Sequence, residues 1–162
     1  MMRKPVPPEN VPAAGEGKRG SEGHIAYLLR QAAGAQRLRM ERNLADLDVT
    51  PAQFVILTLL KAYPGISNAD LARLALLTPQ TVSVIVVNIE KRGLVGRLRH
   101  AVHGRIQHLV ITPAGQDLLA KCKERVDALE AALVAGLNAA QERVVRHWLV
   151  TLALDGEEGS GG

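Results

Sequence analysis

Apolar residues along this chain recur at intervals of three and four positions in block after block, and Gly, Pro and short polar residues separate the blocks. That periodicity belongs to helices with one face turned to a core. The clearest block runs from Pro79 to Arg92, where Val82, Ile85, Val86 and Ile89 fall at the i, i+3, i+4 and i+7 positions of one stripe. The opposite face carries Gln80, Val84, Val87 and Lys91, with Ser83 and Asn88 beside it and Thr81 on the other flank.

Punctuation sets the helix boundaries. Thr50-Pro51, Thr78-Pro79 and Thr112-Pro113 share one device. The Thr hydroxyl accepts from a free amide of the first turn, and proline at the first helical position gives up an N–H that had no partner. Ser67 followed by Asp70 is a further start signal, with an acid against the positive helix end, and Asn138 followed by Gln141 resembles a capping box. The pattern predicts helices from about His24 to Asp46, Pro51 to Tyr63, Asn68 to Leu76, Pro79 to Arg92, Pro113 to about Ala135 and Ala139 to about Leu154. Before the fifth of these, "LVGRLRHAVHGRIQHLVIT" sets β-branched residues around a glycine-containing tip and reads as a hairpin. Residues 1–21, rich in Pro and Gly without periodicity, and residues 155–162, "DGEEGSGG", read as disordered tails. The fold class is mainly α with a small β-hairpin. Three helices and then a basic hairpin is the order of a winged helix-turn-helix, here flanked on both sides by long helices.

Composition agrees. The chain has 162 residues, enough for one domain with a real core, and its aromatics are only Tyr27, Phe54, Tyr63 and Trp148. A core of Leu, Val, Ile and Ala suits packed helices better than a β-sandwich. The sole cysteine, Cys122, excludes an intrachain disulfide framework and fits a reducing compartment. No signal-peptide h-region precedes the first helix, and no apolar run is long enough for a bilayer, so a soluble, cytoplasmic protein is expected.

Charge informs once it is divided. Residues 50–112 hold seven Lys/Arg against two Asp/Glu, a net of +5, while residues 1–49 carry +2 and residues 113–162 carry −3. The basic excess sits in the predicted winged segment, which favours a polyanion partner for that part alone.

The strings "GHIAYLLRQA", "DVTPAQFVILTLL", "PGISNADLARLALLTPQTVSVIVVNIEKRGLV" and "LVITPAGQDLL" carry a resemblance. From Ile25 to about Leu154 the chain resembles the MarR family of bacterial transcriptional regulators. The resemblance implies a homodimer in which terminal helices of two chains interlock and two winged domains face successive major grooves. It implies a repressor that releases its operator when a small aromatic or phenolic effector binds, in a cleft between the first two helices and the DNA-binding domain. On this reading residues 22–49 and 113–154 dimerise, and 50–112 bind DNA. The protein is expected to be nucleoid-associated when bound to DNA, with no membrane partner.

If the fold is right, the face of the Pro79 helix opposite the buried stripe enters the groove. Its N-terminal residues reach furthest, making Gln80, Thr81 and Val84 the primary base-edge candidates. Gln pairs with adenine N6/N7, and Thr or Val methyls touch a thymine methyl. Thr78 caps the helix with a hydroxyl free to donate to a phosphate, Ser67 caps the helix before it, and Ser83 and Asn88 face the bases or their flanks. Arg97, Arg99 and Arg105 supply electrostatics, and His103 sits at the hairpin tip. The chain departs from the common family pattern, close to "TVSRLVDRLERRGL", in two places. Val84 stands for an arginine and Val87 for an acid, so the usual bidentate partner for guanine is missing. In the wing, His103-Gly104-Arg105 replaces an Asp-x-Arg motif, which removes the partner of a wing-shaping ion pair. Either this protein reads an A·T-rich site through methyl, amide and shape contacts, or the helix no longer reads DNA and docks on protein. The basic hairpin beside it favours the first.

Other residues invite other chemistry. His100, His103 and His108 are possible zinc donors, but the hairpin has no carboxylate or thiol and alternate residues point to opposite faces, so solvated or phosphate-contacting histidines fit better. Cys122 lies on a stripe with Leu118, Leu129 and Leu133 and reads as a buried apolar thiol rather than a redox sensor. No nucleophile–base arrangement, phosphate-cradling glycine loop or acidic pair suggests catalysis, and no cofactor or metal is expected.

Overall fold

The computed structural model describes residues 11–99 and 107–158. These form six α-helices and one antiparallel strand pair: α1 (Ile25–Leu44), α2 (Pro51–Ala62), α3 (Asn68–Ala75), α4 (Pro79–Lys91), β1 (Val95–Arg99), β2 (Gln107–Ile111), α5 (Pro113–Val134) and α6 (Ala139–Glu158). Val95 lies opposite Ile111 and Arg99 opposite Gln107. Among the described residues no single helix is long and apolar enough to cross a membrane.

The predicted caps do what their chemistry requires. Thr50 Oγ1 accepts from the Gln53 amide at 3.2 Å, Thr78 Oγ1 from Thr81 at 3.1 Å and Thr112 Oγ1 from Gly115 at 3.1 Å. Ser67 Oγ accepts from Asp70 at 3.0 Å. Asn138 and Gln141 close the expected reciprocal box, at 3.0 and 2.9 Å. Each cap is worth about 1 kcal/mol.

Two clusters organise the interior. The larger joins Ile56, Leu57 and Leu60 of α2, Leu71 of α3 and the α4 stripe to Leu94, Val95 and Leu109 of the hairpin and Leu119 of α5. The smaller joins Leu44, Val49, Cys122 and Val126 where α1, the following connector and α5 meet. The stripe read from sequence is the buried one: Val82, Val86 and Ile89 are buried and Ile85 packs at the edge of the cluster. α3 and α4 are bent by 107° relative to each other, within the range of a helix-turn-helix. Between them Leu76 stands at φ 52°, ψ 43°, a left-handed position usually given to glycine.

The structure corrects several boundaries. The first helix ends at Leu44, not near Asp46, and passes into a 3-10 turn, Ala45–Leu47, closed by Asp48 at φ 52°. The helix expected to include Leu76 stops at Ala75, because Leu76 is its left-handed cap. Of the N-terminal segment expected to be formless, residues 11–21 make a 3-10 turn, Gly17–Arg19, and Arg19 Nη1 donates to the Pro12 carbonyl at 3.0 Å. α6 runs to Glu158, through the first residues of the tail expected to start at 155. The apolar stripe of α5 is also displaced. Leu119, Cys122 and Val126 are its buried side chains, while Leu118 is half-buried and Leu133 exposed.

Ion pairs hold the α1–α2 connector. Arg125 of α5 grips Asp46 with both guanidinium nitrogens, Nη2–Oδ2 being 2.8 Å, and Nη1 donates to the Asn43 carbonyl at 2.9 Å. Its hydrogen bonds hold the Asp46 carboxyl below the usual carboxylate range.

Candidate nucleic-acid interface

The reading face of α4 is left open by the fold. Val84 is 61% exposed and Val87 42% exposed, although both are large and apolar and buried positions lie one or two residues away. Gln80, Thr81, Ser83 and Asn88 are exposed on the same helix. The N-terminal turn is stiffened by hydroxyl contacts: Thr78 Oγ1 and Thr81 Oγ1 are 2.9 Å apart, and Ser83 Oγ donates to the Pro79 carbonyl at 2.9 Å. The face predicted to meet the bases is therefore presented on a helix whose first turn is capped and hydrogen-bonded.

α3 supports that surface from the side. Ser67 caps α3 and donates to Asp70 Oδ2 at 2.7 Å, and Asn68 Nδ2 donates to Ser83 Oγ at 3.1 Å, tying the start of α3 to the reading helix. Between α3, α4 and the hairpin lies a cavity of about 440 Å³ whose lining includes Ser67, Asn68, Ser83, Val87, Arg97 and His108. Asn68 belongs to this surface but does not stand out from sequence, since its hydrogen bond to Ser83 of α4 forms only when the two helices pack; His108, expected to be solvated or to contact phosphate, lines the same cavity. Gly65 stands at φ +81° in the turn before α3, a backbone conformation that favours glycine, and a Cβ there would meet His108 Nδ1 at an ordinary contact distance of 3.5 Å.

The arginines divide. Arg97, expected to supply electrostatics for DNA, is held by Glu90 of α4: Nε–Oε1 is 2.9 Å and Nη2–Oε2 is 3.2 Å. That bidentate pair keeps the guanidinium more firmly protonated than usual and fastens β1 to the last turn of α4. Arg99 lies at the end of β1. His100, His103 and Arg105 lie outside the described residues. Cys122 is fully buried, and burial pushes its thiol above the ordinary value of 9.0, as suits a packing residue.

A capped, exposed helix set at 107° to its predecessor, with a two-stranded wing clipped to its end, defines a winged helix-turn-helix DNA-binding regulator. Comparison with known proteins places it more narrowly. A model of the MarR family matches residues 47–106. The transcriptional repressor Rv2887 of Mycobacterium tuberculosis is 32% identical over 131 residues, which span 81% of this chain and 94% of the relative. The crystal structure of that MarR family protein with salicylic acid superimposes with a TM-score of 0.66 at 31% identity, covering 82% of this chain and 98% of the other. The repressor CouR of Rhodococcus jostii, solved on a 23-mer DNA duplex, gives a TM-score of 0.73 at 27% identity over 80% and 92% of the two chains. The chain belongs to the MarR family and is a DNA-binding transcriptional regulator, a class that catalyses no reaction.

Proposed function

We propose that this protein is a cytoplasmic repressor that binds a pseudo-palindromic, A·T-rich operator as a homodimer and leaves it when a small aromatic acid binds. One observation carries the reading of the operator: α4 exposes Gln80, Thr81, Val84 and Val87 together, one amide and several methyls, with the cation of that face, Lys91, at the far end of the helix. Such a surface suits adenine and thymine edges and offers guanine nothing bidentate. Thr78, Ser67, Ser83 and Asn88 flank it, and Arg99, His103 and Arg105 of the wing are assigned to phosphates or the minor groove. Asn68 and His108 join them at the cavity between wing and helix. Arg97 is assigned to holding the wing, because Glu90 already occupies its guanidinium.

Residues 50–112 form the DNA-binding unit and residues 22–49 and 113–154 the dimerisation unit. The second assignment draws support from α6, which leaves Val144, Val145, Trp148, Leu149 and Leu152 exposed in the single chain. An apolar surface of this kind is covered in a stable dimer. The effector class draws support from the salicylic and p-aminosalicylic acid complexes of the relative Rv2887.

Selection from a pool of random duplexes, with and without a panel of aromatic acids, tests the proposal. Recovered sites should show two A·T-rich half-sites with centres about 10 bp apart. The log–log salt slope should be several units. The exposed valine pair also suits a protein-docking surface, and a salt slope near zero would favour that reading.

A further inference from the structure

The last turn of α4 and the three residues that follow it are attached to three other parts of the chain. Glu90 holds Arg97 of the wing. The Gly93 carbonyl accepts from Thr112 Oγ1 at 2.7 Å, and the Leu94 carbonyl from the Thr112 amide at 3.0 Å, where α5 begins. The third attachment runs to the α1–α2 connector. Arg92 Nη1 donates to the Asp48 carbonyl at 2.6 Å, and Nη2 lies 3.6 Å from Asp48 Oδ2.

That third contact differs in kind. The Asp48 carboxylate is 92% exposed, so its share of the attraction is small. The carbonyl bond is the firm part, and Asp48 offers it from a left-handed position, φ 52°, just past the 3-10 turn. From the other side Arg125 of α5 grips Asn43 and Asp46 of the same segment. The connector is thus held between α5 and the reading helix.

We infer that Arg92 is a positioning residue for DNA reading: it sets the tilt of α4 against the α1–α2 connector, and so the separation of the two reading ends in the dimer. This rests on the regulator function proposed above. The leverage is geometric. Pro79 to Arg92 is about 20 Å of helix, and a tilt of about 5° at the attached end moves the reading end by about 1.7 Å. Contacts to base edges tolerate only about 0.5 Å.

The test uses full-length Arg92→Met, Arg92→Lys and Asp48→Asn proteins. Each is titrated on the duplex that the wild-type protein selects from a random pool, and on derivatives with one base pair added or removed between half-sites. Arg92→Met should bind the selected duplex about tenfold more weakly and lose most of its preference for the native spacing. Its salt slope should match wild type, because no phosphate contact has gone. Arg92→Lys, which keeps one cationic donor group in place of the two-pronged guanidinium, should recover part of both losses, and Asp48→Asn, which keeps the carbonyl, should behave as wild type. A slope reduced by about 0.9 in Arg92→Met would make Arg92 a phosphate contact and overturn the inference. Unchanged affinity and spacing preference would overturn it equally. Should Arg92→Met not fold, Arg92→Lys decides, and an unchanged spacing preference in that variant counts against the inference. A wild-type protein that selects no duplex would remove the regulator function itself, and this inference with it.

Discussion

Gly115 occupies the first turn of α5 with no room for a side chain. A Cβ would stand 2.1 Å from the Leu94 carbonyl oxygen and 2.8 Å from Ile111 Cγ1. The "ITPAG" string thus ends in glycine because the helix start presses on the backbone that leaves α4. Gly115→Ala should cost about 3 kcal/mol in urea unfolding, the upper part of the range for overpacking. Leu76 presents the opposite case: it is 89% exposed and buries almost nothing, yet holds a left-handed conformation. A left-handed backbone costs a branched side chain about 1–2 kcal/mol, against about 0.5–1 kcal/mol for the extra freedom of glycine in the unfolded chain. Leu76→Gly should therefore raise Tm by about 1–4 °C, and a lowered Tm would mean that Leu76 makes a contact this chain alone does not contain. Neither effect is legible in sequence. The spacing suits Leu76 as a last helical residue, and only the backbone angles reveal it as the cap.

At the scale of one element, α4 shows how periodicity separates two jobs along thirteen residues. Val82, Val86 and Ile89 enter the core, which leaves Val84 and Val87 exposed outside it. If these two methyl-bearing side chains read thymine, replacing operator thymines by uracil should weaken binding roughly fourfold per methyl contacted, the value of one buried methyl group. Unaltered affinity would count against methyl reading. Val84→Arg should bind non-operator duplexes more tightly, by about fivefold for each added phosphate contact at about 0.15 M salt, and discriminate less. Competition between operator and random duplex reads both changes. The face was legible in sequence because a helix of this length has only one way to bury its stripe.

Over the whole molecule, burial follows attachment to the winged unit. The interior of the described residues is concentrated around α2–α4, the hairpin and the start of α5, and residues 139–154 of α6 contribute no buried residue. Cys122 lies where this interior meets α1. Its thiol is held above 9.0 by burial, so the protonated form is favoured in the folded state. The stabilisation is complete below the unfolded value and is lost as pH rises from about 9 through the folded value. Cys122→Ala should abolish that alkaline loss while lowering stability at neutral pH by about 1–2 kcal/mol. Urea melts between pH 7 and pH 10 measure both. A thiol that reacts freely in the native protein would contradict the burial.

Helix positions, their N-terminal caps and the open face of α4 follow from the sequence alone, because each depends on residues no more than a few positions apart. A hydroxyl at the cap, a proline after it and an apolar residue every third or fourth place act locally, and the chain cannot satisfy them in another order. Which charges remain available for DNA was decided only by the tertiary structure. Arg97 reads as a free cation until the hairpin brings it onto Glu90, and Arg92 and Arg125 meet Asp48 and Asp46 across long stretches of chain. Ion pairs of that kind have no characteristic spacing, since their partners become neighbours only after the helices pack.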